Sequence, residues 1–377
     1  MKTIMKRRNL ISKAILAYGI FFAMLFVLTC PSTLWQVGAQ NSIDDGMGMD
    51  DMDMELVFRP IGMAGAIDDG SIANSSPDPS YITLPDPLLV AFGINNSGNI
   101  VGFYKGTDSK SHGFLYNRVT RSFASIDYNN PVCKTGTDAR GINQRGDIVG
   151  TCTDDATNPD GSHNFYGYLL TADGFSSVHA QGHLSTIPQR ISSDGKIVGC
   201  IHDTNQTTTM FGQSVDSQDL QFVDPSSGDL AQSFFTFFGG IYGGLSGRGF
   251  MNNGVSPSGR IVVGWFTDSS VTPARARAYI LRDGVVTPFD YPVAGVKQTL
   301  AWDVNAEGDV VGWYQDQANK VHGFLRSPDG EFTSIDFPFA TLTRAFGINT
   351  NGDIVGTYIA GGVQHAFVRS AKLRWDS

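Results

Sequence analysis

Helical periodicity is what this chain most lacks. After residue 80 no eleven-residue stretch keeps its apolar side chains at helical spacing, which leaves β structure as the reading. Local catalytic signatures are missing as well: there is no GxSxG, no HExxH, no phosphate-binding loop and no Cys/His spacing of a zinc site. No cofactor and no metal are therefore implied. Positive charge is scarce, with 27 Lys and Arg against 36 Asp and Glu and a formal charge of -9. Such a balance repels nucleic acid and excludes it as a partner. Cysteine is scarcer still, at four.

The first residues hold much of the positive charge there is. Lys2, Lys6, Arg7, Arg8 and Lys13 precede an uncharged apolar run from Ala14 to Thr29, the pattern of a secretory leader over residues 1–39. The small residues of "VGA" put cleavage after Ala39. A lipoprotein cut before Cys30 and a retained anchor are the alternatives, and export is common to all three. Without its leader the chain carries about -14, of which about -8 lies in residues 40–79, where nine acids face Arg59 alone. That segment reads as a disordered acidic tether before the globular part. A sharper reading takes Met47, Met49, Met52 and Met54, alternating with carboxylates, as thioether ligands for Cu(I). With the leader gone, no membrane contact is expected, and the chain is expected to be a monomer.

The globular part, 80–377, repeats. "GINNSGNIVG" at 93–102 returns as "GINQRGDIVG" at 141–150 and "GINTNGDIVG" at 347–356, and three weaker copies begin at Arg190, Gly254 and Asp303. The steps between their central apolar residues (Ile94, Ile142, Ile191, Val255, Val304, Ile348) are 48, 49, 64, 49 and 44. The long step holds a Phe- and Gly-rich insertion at about 231–249, an apolar surface suited to an interface if exposed. A period in the forties with four short strand signals each predicts a β-propeller. Gly98, Gly146, Gly195, Gly259, Gly308 and Gly352 are expected at positive φ in the tight turn after each inner strand. The last copy lacks the "F-x-S-I-D-x-P" strand that ends the others, and "SYITLPDPLL" at 80–89 supplies one. The prediction is an all-β, six-bladed β-propeller of four-stranded blades, its ring closed by that N-terminal strand; five blades are the fallback if copy three is not one.

With "HGFL" at His112 and His322 and "HAFV" at His365, the chain resembles the HAF-repeat family of bacterial extracellular proteins, whose unit joins "GIN-x-x-G-x-IVG" to "HGF" or "HAF" and an "ID-x-P" end. The resemblance is closest in copies one, five and six; copies three and four lack the His and part of the "GIN". It implies export and a propeller, and no activity.

The histidines recur in neighbouring blades on the third strand, about two spacings of roughly 4.8 Å outside the innermost one, too far apart to share a metal. They are expected to make structural hydrogen bonds. Function should sit where the repeat is broken. The residues before the "GIN" glycine are Phe92, Arg140, Gln189, Asn253, Trp302 and Phe346, and Arg190 and Asp303 replace the glycine itself. Two charges near a channel mouth need a partner, solvent or a ligand: they form a salt bridge or touch an anionic or polyhydroxylated molecule. Aromatics follow "IVG" at Phe103 and Tyr104, Trp265 and Phe266, Trp313 and Tyr314, and Tyr358. They pack between blades or stack on sugars at the rim.

Cys133, Cys152 and Cys200 remain in the exported chain, an odd number. Topology puts Cys133 and Cys152 on one face of blade two as a candidate disulfide, with Cys200 a spare thiol or alternate partner. The resulting expectation is a secreted or periplasmic binding or interaction module for carbohydrate or another extracellular polymer or protein, with Arg140, Arg190, Trp302 and Asp303 at the channel mouth and Trp265 and Trp313 at the rim. The alternatives are an extracellular hydrolase or lyase using Asp303 as acid/base and Arg190 to stabilise an anion, and a structural surface protein without a ligand.

Overall fold

The computed structural model describes residues 78–156, 163–178, 185–202, 208–211, 241–242, 245–268, 270–283 and 285–371. The segments read above as a leader and a tether, up to residue 77, and residues 231–240 and 243–244 of the insertion lie outside the described residues. Those that are described contain strands and turns and no helix, and no helix among them is long and apolar enough to cross a membrane.

The strands come in antiparallel meanders of four. The first holds β2 (Leu88–Ile94), β3 (Asn99–Lys105), β4 (Ser111–Asn117) and β5 (Ser122–Ile126). The second holds β6 (Gly136–Ile142), β7 (Ile148–Thr153), β8 (Phe165–Thr171) and β9 (Gly174–Val178). Copy three has β10 (Ser185–Ile191), β11 (Ile197–His202) and β12 (Thr208–Phe211) among the described residues. Copy four holds β14 (Leu245–Val255), β15 (Ile261–Asp268), β16 (Arg275–Arg282) and β17 (Val285–Phe289). The fifth holds β18 (Gln298–Val304), β19 (Val310–Gln315), β20 (Val321–Arg326) and β21 (Phe332–Ile335). The sixth has β22 (Leu342–Ile348), β23 (Ile354–Ala360) and β24 (Val363–Arg369). Its fourth place is taken by β1 (Tyr81–Thr83), which pairs antiparallel with β24 in the register Tyr81 to Arg369 and Thr83 to Phe367.

This closing strand is shorter than the predicted 80–89. Pro85 and Pro87 have no N–H to give a ladder, and Leu88 already opens β2. The insertion also differs from a plain loop: Ile241–Tyr242 form β13, which pairs with β14, and β14 runs for 11 residues where its sister inner strands have 7.

Each "GIN-x-x-G-x-IVG" is one hairpin, and the six turn glycines have φ between 70° and 94°. The hairpin has a feature the sequence pattern hides. In all six copies the register slips by one residue just before the "GIN" glycine, between Ala91 and Gly93, Ala139 and Gly141, Pro188 and Arg190, Asn252 and Gly254, Ala301 and Asp303, and Ala345 and Gly347. A bulge pushes its extra residue out of the ladder and re-aims the side chain. It also brings a carbonyl of the inner strand over the "IVG" glycine: a Cβ on Gly102 would stand 1.8 Å from the Val90 oxygen, and one on Gly312 2.0 Å from that of Leu300. Glycine is required there by contact.

Adjacent inner strands are tied by the third letter of the motif. Asn95 Nδ2 donates to the Asn143 carbonyl at 3.1 Å, Asn143 to that of Ser192 at 3.1 Å, Asn305 to that of Asn349 at 3.5 Å, and Asn349 to that of Asn95 at 3.2 Å. Where copies three and four carry Ser192 and Ser256 instead, Ser193 N donates to Pro257 O at 3.0 Å and Asn253 Nδ2 to Ala301 O at 2.9 Å. All of these amide side chains are buried, and each amide nitrogen is satisfied by the neighbouring copy. Between the meanders lie apolar layers such as Ile261, Val263, Ala278, Ala301, Val304, Tyr314 and Phe324.

Candidate functional site

The six bulge residues meet where the inner strands converge. Phe92 lies 5.4 Å from Phe346, and Trp302 4.7 Å from Phe346, centroid to centroid. The Arg140 guanidinium stands 5.5 Å over the Phe92 ring, pairs with Asp138 Oδ2 at 2.7 Å, and donates to Gln189 Oε1 at 3.2 Å and to Thr151 Oγ1 at 3.3 Å. Arg140, Trp302 and Gln189 are buried. These side chains fill the centre rather than line an opening.

Arg190 takes the place of a "GIN" glycine, and the reason for glycine elsewhere is crowding: a Cβ on Gly347 would lie 2.6 Å from the Phe92 oxygen. In copy three the side chain runs into the centre and uses both of its terminal nitrogens. Nη1 donates to the carbonyls of Arg140 at 2.5 Å and Gln189 at 2.7 Å; Nη2 donates to those of Phe92 at 2.6 Å and Phe346 at 2.5 Å. Nε lies 3.3 Å from Asp303 Oδ2, an ion-pair contact without hydrogen-bond geometry. Of the five N–H groups of a guanidinium, the four on Nη1 and Nη2 face carbonyls and the Nε one is buried without a hydrogen-bond acceptor. Asp303 in turn accepts from Val304 N at 2.9 Å and Ile348 N at 3.2 Å. Burial pushes the Asp303 carboxyl up and the Arg190 guanidinium down, while each favours the charged form of the other.

Arg190 and Asp303, with Asn143, Gln144 and Ser193, also line a cavity of about 30 Å³ whose apolar wall comes from the central residue of each copy, Ile94 to Ile348. Sites for drug-sized ligands run to roughly 300 Å³ and more; this one suits a water. Of the four residues expected to contact a ligand, Arg140 and Trp302 are buried in an internal network, and Arg190 and Asp303 belong to that network and also line the cavity. The salt bridge foreseen between Arg190 and Asp303 is present.

The aromatics expected at the rim are buried as well. Trp265 and Trp313 are 4% and 2% exposed, and the Arg344 guanidinium covers the Trp313 ring at 4.7 Å. Burial brings that guanidinium down to about 10. A strand buried on both faces has no rim side, so each aromatic pair splits between two packing layers. Tyr314 stacks on Tyr291 at 3.7 Å, and Tyr358 on Phe337 at 3.6 Å.

The histidines of "HGF" and "HAF" mark a third arrangement. His112 Nδ1 lies 2.7 Å from Asp127 Oδ1, its Nε2 lies 3.1 Å from Asp108 Oδ1, and Tyr104 stacks on the ring at 5.2 Å. His322 repeats this with Asp336 at 2.7 Å, Asp316 at 3.5 Å and Tyr314 at 4.9 Å. In copy four Arg277 replaces the histidine, with Asp290 and Asp268 both at 3.0 Å. His365 lies 3.7 Å from Asp86. The hydrogen bond to Asp127, helped by Asp108 and opposed by partial burial, raises His112 to about 9. Sequence reasoning missed the carboxylates, although the co-occurrence of "HGF" with "ID-x-P" carried them: the Asp of the second motif is the partner of the His of the first. Both ring nitrogens of His112 are engaged by separate carboxylates, and among the described residues no cluster of His, Cys, Asp and Glu is arranged to hold a metal.

Cys133 and Cys152 form a disulfide with a Cα separation of 5.4 Å, between the loop entering β6 and the end of β7. Cys200 is buried on β11.

No family model matches the chain, and no curated protein matches it. Among solved structures, a putative TolB from Agrobacterium tumefaciens is similar at 15% identity and TM-score 0.45, over 78% of this chain and 94% of that one. The β-propeller domain of the Trilobed protease from Pyrococcus furiosus is similar at 11% identity and TM-score 0.42, over 75% and 96%. A six-bladed fucose-recognising fungal lectin, that of Aleuria aurantia, is similar at 11% identity and TM-score 0.41, over 74% and 90%. With all three TM-scores below 0.5, the architecture is read from the strand pairing above.

Proposed function

We propose that this chain is an exported six-bladed β-propeller of the HAF-repeat type, its ring closed by β1 on β24, that acts as a binding module for carbohydrate or another extracellular polymer. Six bulged inner hairpins, the amide relay running from Asn95 through each copy and back from Asn349, and the β1 pairing support the ring. The basic leader supports export.

One observation carries the choice of binding over turnover: both terminal nitrogens of Arg190 are spent on backbone carbonyls of the protein itself, and Asp303 pairs with Arg190 and accepts from two backbone amides. A hydrolase or lyase centred on that pair would have to break this network to use it. A binding module needs only a stable frame and the loops it displays, and the acidic surface of the frame favours a neutral polymer over a polyanion.

The test is thermal unfolding of the full exported chain against soluble xylan, mixed-linkage β-glucan, galactomannan and dextran, with divalent metals alongside and reducing-end release assayed in parallel. Ligand at a hundredfold excess over its dissociation constant adds about 2.7 kcal/mol to native stability. A shift with at least one polysaccharide and no release of sugar is expected. Sugar release abolished by Asp303→Asn would replace this reading with the hydrolase, and a shift with metals alone would leave it without support.

A further inference from the structure

The loops that lead from the outer strand of one meander to the inner strand of the next share a D-[Y/F]-(NN)-P pattern followed by an apolar residue: Val132 after Asp127, Val293 after Asp290, and Phe339 after Asp336. All three are exposed, and Phe339 is the extreme case at 83%, the most exposed large hydrophobic among the described residues. Its backbone is equally unusual, with φ of 63°. The other non-glycine residues at positive φ are Ser109, Arg121, Asp283 and Asn319, all polar; Phe339 is the one aromatic.

The conformation has a clear origin. Ala340 N donates to Phe337 O at 3.0 Å, so Phe337, Pro338, Phe339 and Ala340 make a turn with proline second and positive φ third. That is the type II pattern, whose third place belongs to glycine. Where the sister loop between copies four and five needs the same backbone, in the turn closed by Val296 N on Val293 O, it uses Gly295 at φ 72°. Here the chain holds a phenylalanine in that place, against its steric preference and without burying it. Packing does not explain the residue, and a disfavoured conformer that the surroundings enforce points to use.

The surroundings do enforce it. Phe337 is stacked flat on Tyr358 at 3.6 Å, its N–H is held by Thr343 Oγ1 at 3.0 Å, and Thr341 N and Oγ1 both donate to Ile359 O, at 2.8 and 3.2 Å. Three residues before Phe339 in the same anchored loop is Asp336, 39% exposed, its two oxygens oriented by His322 at 2.7 Å and Ser334 at 2.7 Å. An exposed ring on an anchored turn whose loop also carries an oriented, half-exposed carboxylate matches one ligand chemistry. The C–H face of a pyranose packs on the ring while neighbouring hydroxyls donate to the carboxylate. A protein partner would want an apolar patch of several hundred Å² with charge depleted at its centre; a single ring in a loop that also carries a carboxylate is the opposite.

We propose that the turn Asp336 to Thr341 is a saccharide subsite in which Phe339 is the stacking platform and Asp336 a hydroxyl acceptor. This rests on the carbohydrate reading above and gives it a place.

The variant that tests it is Phe339→Gly in the full chain, because glycine relieves the backbone. Its melting midpoint is expected to stay within about 2 °C of wild type or to rise, while affinity for whichever of xylan, β-glucan, galactomannan or dextran the wild type binds falls at least tenfold, about 1.4 kcal/mol. Phe339→Trp should retain binding, and Asp336→Asn should weaken it. Unchanged affinity in Phe339→Gly overturns the subsite while leaving the carbohydrate reading in force. Failure of the wild type to bind any of the four polysaccharides overturns both.

Discussion

At the scale of single residues, the chain uses charge to tie surfaces together, and His112 is the case with a measurable consequence. Its imidazole lies between Asp127 and Asp108 under Tyr104, and its ordinary value of 6.5 rises to about 9. A group with a raised folded-state value contributes stability fully below its unfolded value and loses it as pH climbs through the folded one. Unfolding midpoints of the wild type should therefore fall between pH 6.5 and about 9 more steeply than those of His112→Gln. Equal slopes in the two proteins would show that the imidazolium is not formed. Much of this was readable beforehand. The recurrence of His112, His322 and His365 on third strands pointed to structural hydrogen bonds, and the six positions before the "GIN" glycine were singled out as facing the centre. What the residues do once there was not readable. Arg190 and Asp303 sit 113 positions apart, and the four carbonyls that accept from the guanidinium belong to residues 92, 140, 189 and 346.

At the scale of elements, the inner hairpin explains its own sequence. The bulge turns one side chain toward the centre, the displaced carbonyl demands glycine in "IVG", and the Asn of "GIN" closes the turn while donating to the next copy. Alternation and turn residues announced the hairpin; the bulge did not show, because one extra residue leaves a two-residue period intact on either side of it. Arg190 then acts at this scale, since it joins β2, β6, β10, β18 and β22. Arg190→Met leaves Asp303 buried without its counter-charge and four carbonyls without donors, a loss of about 3 to 5 kcal/mol. Replacing both members, Arg190→Met with Asp303→Leu, should recover part of that, because no lone charge stays behind. Urea unfolding of the full chain measures both, and a cost below about 1 kcal/mol for Arg190→Met would mean the strands do not depend on it. The strand predicted at 80–89 is present only as Tyr81–Thr83, paired with β24, for want of N–H groups at Pro85 and Pro87.

At the scale of the whole molecule, a buried, densely bonded meeting place of inner strands contrasts with the loops around it. The sequence directs the search for a ligand to the centre because the repeat is broken there; in the structure the breaks at Arg190 and Asp303 also join adjoining copies. The residue that stands out by exposure and backbone, Phe339, lies in a loop whose "DFPFA" resembles its sisters and hid in the repeat. The central claim is that binding is peripheral and the centre is frame. Hydrogen exchange of the full chain, with and without the polysaccharides above, tests it most directly. The account predicts slowed exchange in 336–342 on addition of the bound polysaccharide, with the inner strands around Arg190 and Asp303 unchanged. Protection centred on those inner strands, or protection nowhere with any of the four, would contradict it.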